Sequence, residues 1–227
     1  MTVLPNFARD DFWQSFSAHH IVQLTTSLRA LSILTQRKAI STLIQILSLL
    51  PDPKSNPYFR RYLQNWEACR DVPNIVAASF VVGIDWMRPS GPGQICTLII
   101  HCLFWADSTK GDDGKASIDK EVRDNLSEKL GLLIENERFS SIDRYQSVEI
   151  ERLKGILGAI DAMPINHYLS STHQSLIGQL DFCAGRDCDK MADLTCSKCK
   201  TTRYCGRKHQ LWHWKNGHKL RCFPPLF

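Results

Sequence analysis

The sequence predicts a mostly α-helical chain, an N-terminal helical bundle or armadillo-like helical stack followed by a small cysteine-rich module. Three observations lead there. Residues 1 to about 180 place apolar side chains at offsets of three and four, with little of the strict alternation that marks half-buried strands. Proline and glycine punctuate that pattern at intervals suited to short turns between helices. Six of the nine cysteines crowd between Cys183 and Cys222. The 227 residues suffice for one domain of ordinary size and a small one.

Taken in order, Phe12 to Ile21 reads as a first helix, with Asp10 and Asp11 suited to its start. Thr26 to Leu34 and Arg37 to Leu50 are apolar at helical spacing, and Pro51 and Pro53 stop the second. Pro57 to Arg70 aligns Phe59, Leu63 and Trp66. Pro73 to Met87 and Gln94 to Ala106 are apolar all round, as core helices are, with Arg88 to Gly93 turning between them. Asp107 to Lys115 is a polar loop. Ser117 then reads as an N-cap, followed by a face of Ile118, Val122, Leu126, Leu130 and Leu133 or Ile134. Arg144 to Met163 aligns Ile150, Leu153, Leu157 and Ile160, and Pro164 ends it. His167 to Leu180 is a short helix or linker. No clean repeat of about forty residues supports the stack over the bundle.

The N-terminal residues Met1 to Asp11 lack the basic start and apolar core of a secretory signal. The most apolar run, Ile95 to Ala106, is far shorter than the roughly 20 residues of a membrane span. The expectation is an intracellular protein, in nucleus or cytoplasm, with no membrane partner. In a reducing compartment a cysteine cluster points to metal rather than disulfides. Charge is uneven too. Between Cys183 and Cys222 ten basic residues face three acids, +7, which leaves −2 for the rest of a chain of net charge +5.

Within the module the order is Cys183-x4-Cys188, Cys196-x2-Cys199, Cys205-x3-His209 and His218-x3-Cys222. A Cys-x2-Cys knuckle turns two thiolates toward one point, and residues four apart on a helix share a face. Four pairs make eight ligands, enough for two closed tetrahedral zinc sites. Closed sites are structural. So small a module has almost no apolar core, and structural zinc contributes roughly 10–16 kcal/mol of apparent binding energy, so it is expected to unfold without metal.

The run Arg203-Tyr204-Cys205, His209-Gln210, Trp214-Lys215, Gly217-His218-Lys219 and Cys222 resembles the signature of MYND-type zinc fingers. The resemblance implies interleaved ligation: Cys183, Cys188, Cys205 and His209 on one zinc, and Cys196, Cys199, His218 and Cys222 on the other. It departs from the family twice, with four residues inside the first pair where two are common, and with His209 where cysteine is usual. A longer loop can still present two thiolates, and imidazole is a good zinc ligand. The related HIT-type finger has a histidine where His213 stands, but His218 has the helix-compatible spacing to Cys222. The family docks short proline-rich peptides of partner proteins in a groove lined by Gln and Trp. Gln210 and Trp214 are the matching positions.

The implied organisation is a helical domain over 1–175, a linker over 176–182, the finger over 183–222 and a tail over 223–227. The tail reads Phe-Pro-Pro-Leu-Phe, either a frayed terminus or a segment that could occupy a finger's groove. The alternative function is nucleic-acid association, with basic residues on phosphates and Tyr204, Trp212 and Trp214 stacking on bases. A third is a relative of SET methyltransferases, faintly suggested by Asn166-His167-Tyr168, although nothing follows the finger to complete a catalytic domain. No enzyme activity is expected. Cys96, His101 and Cys102 read as core residues, His19-His20 as a surface pair, and Asp112-Asp113 as a solvated turn.

Overall fold

A computed structural model of the chain describes residues 6–83, 91–105, 114–136, 139, 142–164, 167 and 181–227. It is mostly helical and ends in a compact finger. Pro92 and Gly93 of the expected turn Arg88 to Gly93 instead begin a helix. Residues 84–90, with Met87 and the first half of that turn, lie outside the described residues. So do most of the polar loop (107–113, with Asp112 and Asp113), Asn166, Tyr168 and residues 168–180. Among the described residues no helix is long and apolar enough to cross a membrane.

The chain divides into two compact units. The larger comprises residues 23–49 and 63–169. It contains α2 (Arg37–Ser48), α4 (Trp66–Cys69), α5 (Val72–Val82), α6 (Pro92–Phe104), α7 (Lys120–Glu135) and α8 (Arg144–Ala159). Helix α6 contacts α2, α5 and α8, and α7 contacts α5 and α8. That centrality follows from composition: Ile95, Cys96, Leu98, Ile99, Ile100, Cys102 and Leu103 are all buried, and the polar side chains are confined to the narrow, partly exposed stripe of Gln94, Thr97 and His101. Burial pushes the Cys96 and Cys102 thiols well above the usual range, as befits small core hydrophobes. From α7 and α8 the predicted residues Leu126, Leu130, Ile150, Leu153 and Leu157 turn inward.

Several boundaries differ from the sequence reading, each for a local reason. The first helix is one rod, α1 (Asn6–Arg29). Its buried Ser17, Ala18, Ile21, Thr25 and Leu28 keep helical spacing across Val22–Thr25, where two helices were expected to part. Pro57 to Arg70 is not continuous. It splits into α3 (Pro57–Leu63) and α4 because the Asn65 side chain accepts from the Ala68 amide at 3.3 Å and starts a new turn. Ser117 is no N-cap. It closes a 3₁₀ turn, Gly114–Ser117, and Asp119 occupies the cap position with its carboxylate held by Asn74 Nδ2 at 2.7 Å. Helix α8 starts at Arg144 as expected, capped by Asp143, whose side chain accepts from the Tyr145 amide at 2.9 Å, but ends at Ala159, short of Met163.

The smaller unit gathers residues 1–22, 50–62 and 170–227. Here α1 and α3 meet the finger. Ala18 and Tyr58, each 1% exposed, share one buried cluster with Cys183, Cys196, Cys199, Tyr204 and Cys222. The expected frayed tail is instead docked. The Phe223 amide donates to the Tyr58 hydroxyl at 2.9 Å and the Leu226 amide to the Ala18 carbonyl at 3.2 Å. The Phe223 ring packs on His19 and Tyr58, and Phe227 stands edge-on to Tyr62. Prolines 224 and 225 fix an extended backbone with no amide hydrogens to satisfy, so the segment can lie along a helix and leave Phe223 and Phe227 to anchor its ends. His19, expected at the surface, is thereby half-buried.

Candidate metal centre

Two short crossings of backbone assemble the finger. Leu194–Thr195 (β1) pairs antiparallel with Arg203–Tyr204 (β2), Leu194 opposite Tyr204 and Thr195 opposite Arg203. At the tip of that hairpin Cys196 and Cys199 form a knuckle. The Cys196 amide donates to the Thr202 carbonyl (2.8 Å) and the Lys200 amide to the Cys196 carbonyl (2.9 Å). Lys200 takes a left-handed φ of 58° to close it. Upstream, Phe182 bridges Met191, and the Cys183 amide donates to the Lys190 carbonyl (2.9 Å). The widened Cys183-x4-Cys188 loop turns at Asp187, also left-handed at φ 54°. The Ala184 amide then donates to the Arg203 carbonyl (2.9 Å), which sets the first loop beside β2 and the residue that follows it, Cys205. Arg203 ties the same region together through an ion pair with Asp181 and a 2.8 Å bond to the Ala192 carbonyl.

The ligand pairs therefore interleave. One cluster holds Cys183, Cys188, Cys205 and His209, the other Cys196, Cys199, His218 and Cys222, with the donor atoms of each within 4.8 Å of one another. Around a tetrahedral zinc with bonds near 2.3 Å to sulfur, two sulfurs stand about 3.8 Å apart, and a sulfur and a nitrogen slightly less. In the first cluster Cys188 and Cys205 sulfurs are 3.7 Å apart, and His209 Nδ1 lies 3.3 Å from both Cys183 and Cys205. In the second, Cys196 and Cys222 are 3.7 Å apart, and His218 Nε2 lies 3.4 Å from Cys196 and 3.7 Å from Cys199. The donor sets fit two zinc ions, each closed by three thiolates and an imidazole.

Electrostatics say the same. Desolvation pushes the Cys199 thiol up, but hydrogen bonds from His218, Thr201 and nearby amides outweigh it and draw it down to about 5. Cys183 likewise falls to about 6, against desolvation, through the Cys205 and Gly185 amides and His209. Their neighbours move the other way. Desolvation and the adjacent sulfurs raise Cys205 to about 11 and Cys222 to about 12. Three thiolates this close repel, and a dication is what lets all of them ionise.

The helix-pair argument for the first cluster fails in detail. Cys205 lies ahead of helix α9 (Arg207–His213), and only His209 is on it. The second pair spans a single turn, α10 (Lys219–Arg221), flanked by His218 and Cys222. Between α9 and α10 the wide turn Trp214–His218 breaks at Gly217, whose φ of 132° suits no other residue. That break aims His218 inward. His213 is in neither cluster. Its ring stacks on His218 with centroids 5.1 Å apart, and its Nδ1 is 3.1 Å from the Tyr204 hydroxyl.

Gly185 is a site residue that the spacing did not reveal. A Cβ there would meet His209 ring atoms at 2.7 Å. Gly185→Ala is expected to displace that imidazole and empty the first site while sparing the second. Zinc counting by native mass spectrometry should show about one ion per chain in place of two.

Gln210 and Trp214, one helical turn apart, are both half-buried, and the Trp214 ring stands edge-on to His218 at 5.9 Å. They do not line the cleft of about 590 Å³ beside the second cluster. Asp11, Gln14, Tyr58, Thr201, Asn216 and Leu220 do.

The comparisons with known proteins agree with this geometry. Residues 183–222 match the model of the MYND finger family. The chain is 49% identical over 37 residues to ubiquitin carboxyl-terminal hydrolase 16 of Arabidopsis thaliana, and 46% identical over 37 residues to programmed cell death protein 2 of Mus musculus. Ubiquitin C-terminal hydrolase 15 of Oryza sativa subsp. japonica is 49% identical over 35 residues. Each match covers about 15–16% of this chain, and only 4%, 11% and 4% of those relatives respectively. The likeness is to a finger and not to a whole protein. No solved structure matches the chain.

Proposed function

We propose that this MYND finger, a zinc-binding protein-interaction module, docks short proline-rich peptides of partner proteins through Gln210 and Trp214. The observation that carries the reading is their placement: Gln210 on α9 and Trp214 just past its end, one turn apart and half-buried, with the Trp214 ring against His218 of the second zinc cluster. An indole and a neighbouring amide suit proline-rich segments. Proline rings stack on the aromatic face, and the backbone carbonyls of an extended peptide need donors because proline offers none itself. Zinc here holds the backbone. With four protein ligands per ion there is no open position for substrate or water, so the proposed role is structural and not catalytic.

A peptide array probed with the zinc-loaded chain tests this. Proline-rich peptides should be retained by the native protein. Gln210→Ala and Trp214→Ala should each weaken them by about tenfold or more, with zinc content unchanged. Retention of the same peptides by both variants would refute the docking assignment.

A further inference from the structure

We propose that α9 carries a second interaction surface, distinct from Gln210 and Trp214, which binds an acidic, leucine-bearing segment of a partner protein. From Arg203 to Cys222 there are six basic residues and no acid. Two of the six are spoken for, Arg203 by Asp181 and Arg221 by Asp11. Arg207, Lys208, Lys215 and Lys219 have no ion pair among the described residues, and all are exposed. Balancing the zinc centres does not account for them. Each Cys3His zinc site carries about −1, which offsets two of the seven excess charges between Cys183 and Cys222.

Apolar side chains sit among these cations. Lys208, Leu211 and Trp212 of α9, with Lys215 two residues past its end, follow the i, i+3, i+4, i+7 pattern of one helix face. Leu211 is 50% exposed and Trp212 40%. Gln210 and Trp214 lie about 110–150° round the axis from the centre of that face. Leu211 and Trp212 are adjacent, so two large apolar side chains lie together among the lysines. A face for phosphates would gain from the lysines and the single indole, but nothing from the leucine. Lysine, leucine, tryptophan and lysine side by side complement a peptide that offers carboxylates around an aliphatic side chain.

Fluorescence anisotropy on the zinc-loaded full chain tests the proposal. The probes are a labelled acidic peptide with leucines at helical spacing, the same peptide with serine for each leucine, a DNA duplex, a single-stranded RNA and an anionic phosphatidylserine vesicle. The leucine peptide should bind most tightly. Leu211→Ser should weaken it by about tenfold, and the double change Lys208→Glu, Lys215→Glu by about a hundredfold. Both variants alter exposed positions, and unchanged zinc content confirms that each is folded. Gln210→Ala should leave this binding intact, so its failure and that of the proline-rich reading are separable. Equal binding of the serine peptide, tighter binding of DNA, RNA or vesicles that ignores Leu211→Ser, or no saturable binding of the acidic peptide would each overturn the proposal.

Discussion

Cys199→Ser is expected to abolish the second zinc site and, with it, the ordered form of the whole smaller unit. Cys199 is fully buried, its sulfur takes a 3.3 Å hydrogen bond from Thr201 Oγ1, and its thiol is held as thiolate. Serine offers a poor zinc donor there. The finger's buried side chains are mostly the ligands themselves with Tyr204, so little apolar burial is left to hold the fold once the ion goes. Apparent zinc energies of about 10–16 kcal/mol exceed the whole stability of many domains. The consequence extends past the finger, because Cys222 precedes the docked tail and Arg221 pairs with Asp11 of α1 at 2.8 Å. Hydrogen exchange should show loss of protection at 194–222 and also at Ala18 and Tyr58. Exchange confined to the finger would show that α1 and α3 hold their places without it.

Tyr58 should report that coupling from the other side. Its hydroxyl donates to the Arg221 carbonyl at 3.1 Å and accepts from the Phe223 amide at 2.9 Å, so it brackets the ligand Cys222. The residue is 1% exposed, and burial pushes its phenol above the usual range, which keeps the donor proton in place. Tyr58→Phe retains the ring and removes two part-buried hydrogen bonds, at a cost of about 1 kcal/mol. Tyr58→Ala also opens a cavity beneath Phe223 and should cost about 3–5 kcal/mol. Chelator competition should find zinc leaving the second site faster in both variants, in that order, with the first site little changed. Equal loss from both sites would mean that Tyr58 supports the finger as a whole and not Cys222 in particular.

The second cluster was legible from spacing, because a two-residue knuckle at Cys196–Cys199 and a one-turn pair at His218–Cys222 are among the few ways to bring donors together. Cys183, Cys188, Cys205 and His209 were found by residue type, and the spacing argument for them did not hold. The interleaving of the two sets was not legible from spacing. It came from family resemblance, and its physical cause is the Ala184–Arg203 hydrogen bond that sets the first loop beside β2. Helix positions were legible where apolar spacing and proline agreed, as at Arg37–Ser48. They failed where one polar side chain decided the outcome, as Asn65 did by capping a new turn and Asp119 by yielding its carboxylate to Asn74. Least visible was the joining of the finger to α1 and α3. The contacts of Tyr58 with Arg221 and Phe223 span more than 160 positions, and no local pattern in Pro57 to Leu63 distinguishes a tyrosine that will hold a metal loop from one that fills a core.

The central claim is that residues 183–222 fold around two zinc ions. Native mass spectrometry of the purified full chain, before and after acid release of metal, measures this directly. Two zinc ions per chain, lost together with the compact charge-state distribution, is the predicted result. One ion per chain, or a compact finger that survives complete metal removal, would contradict it.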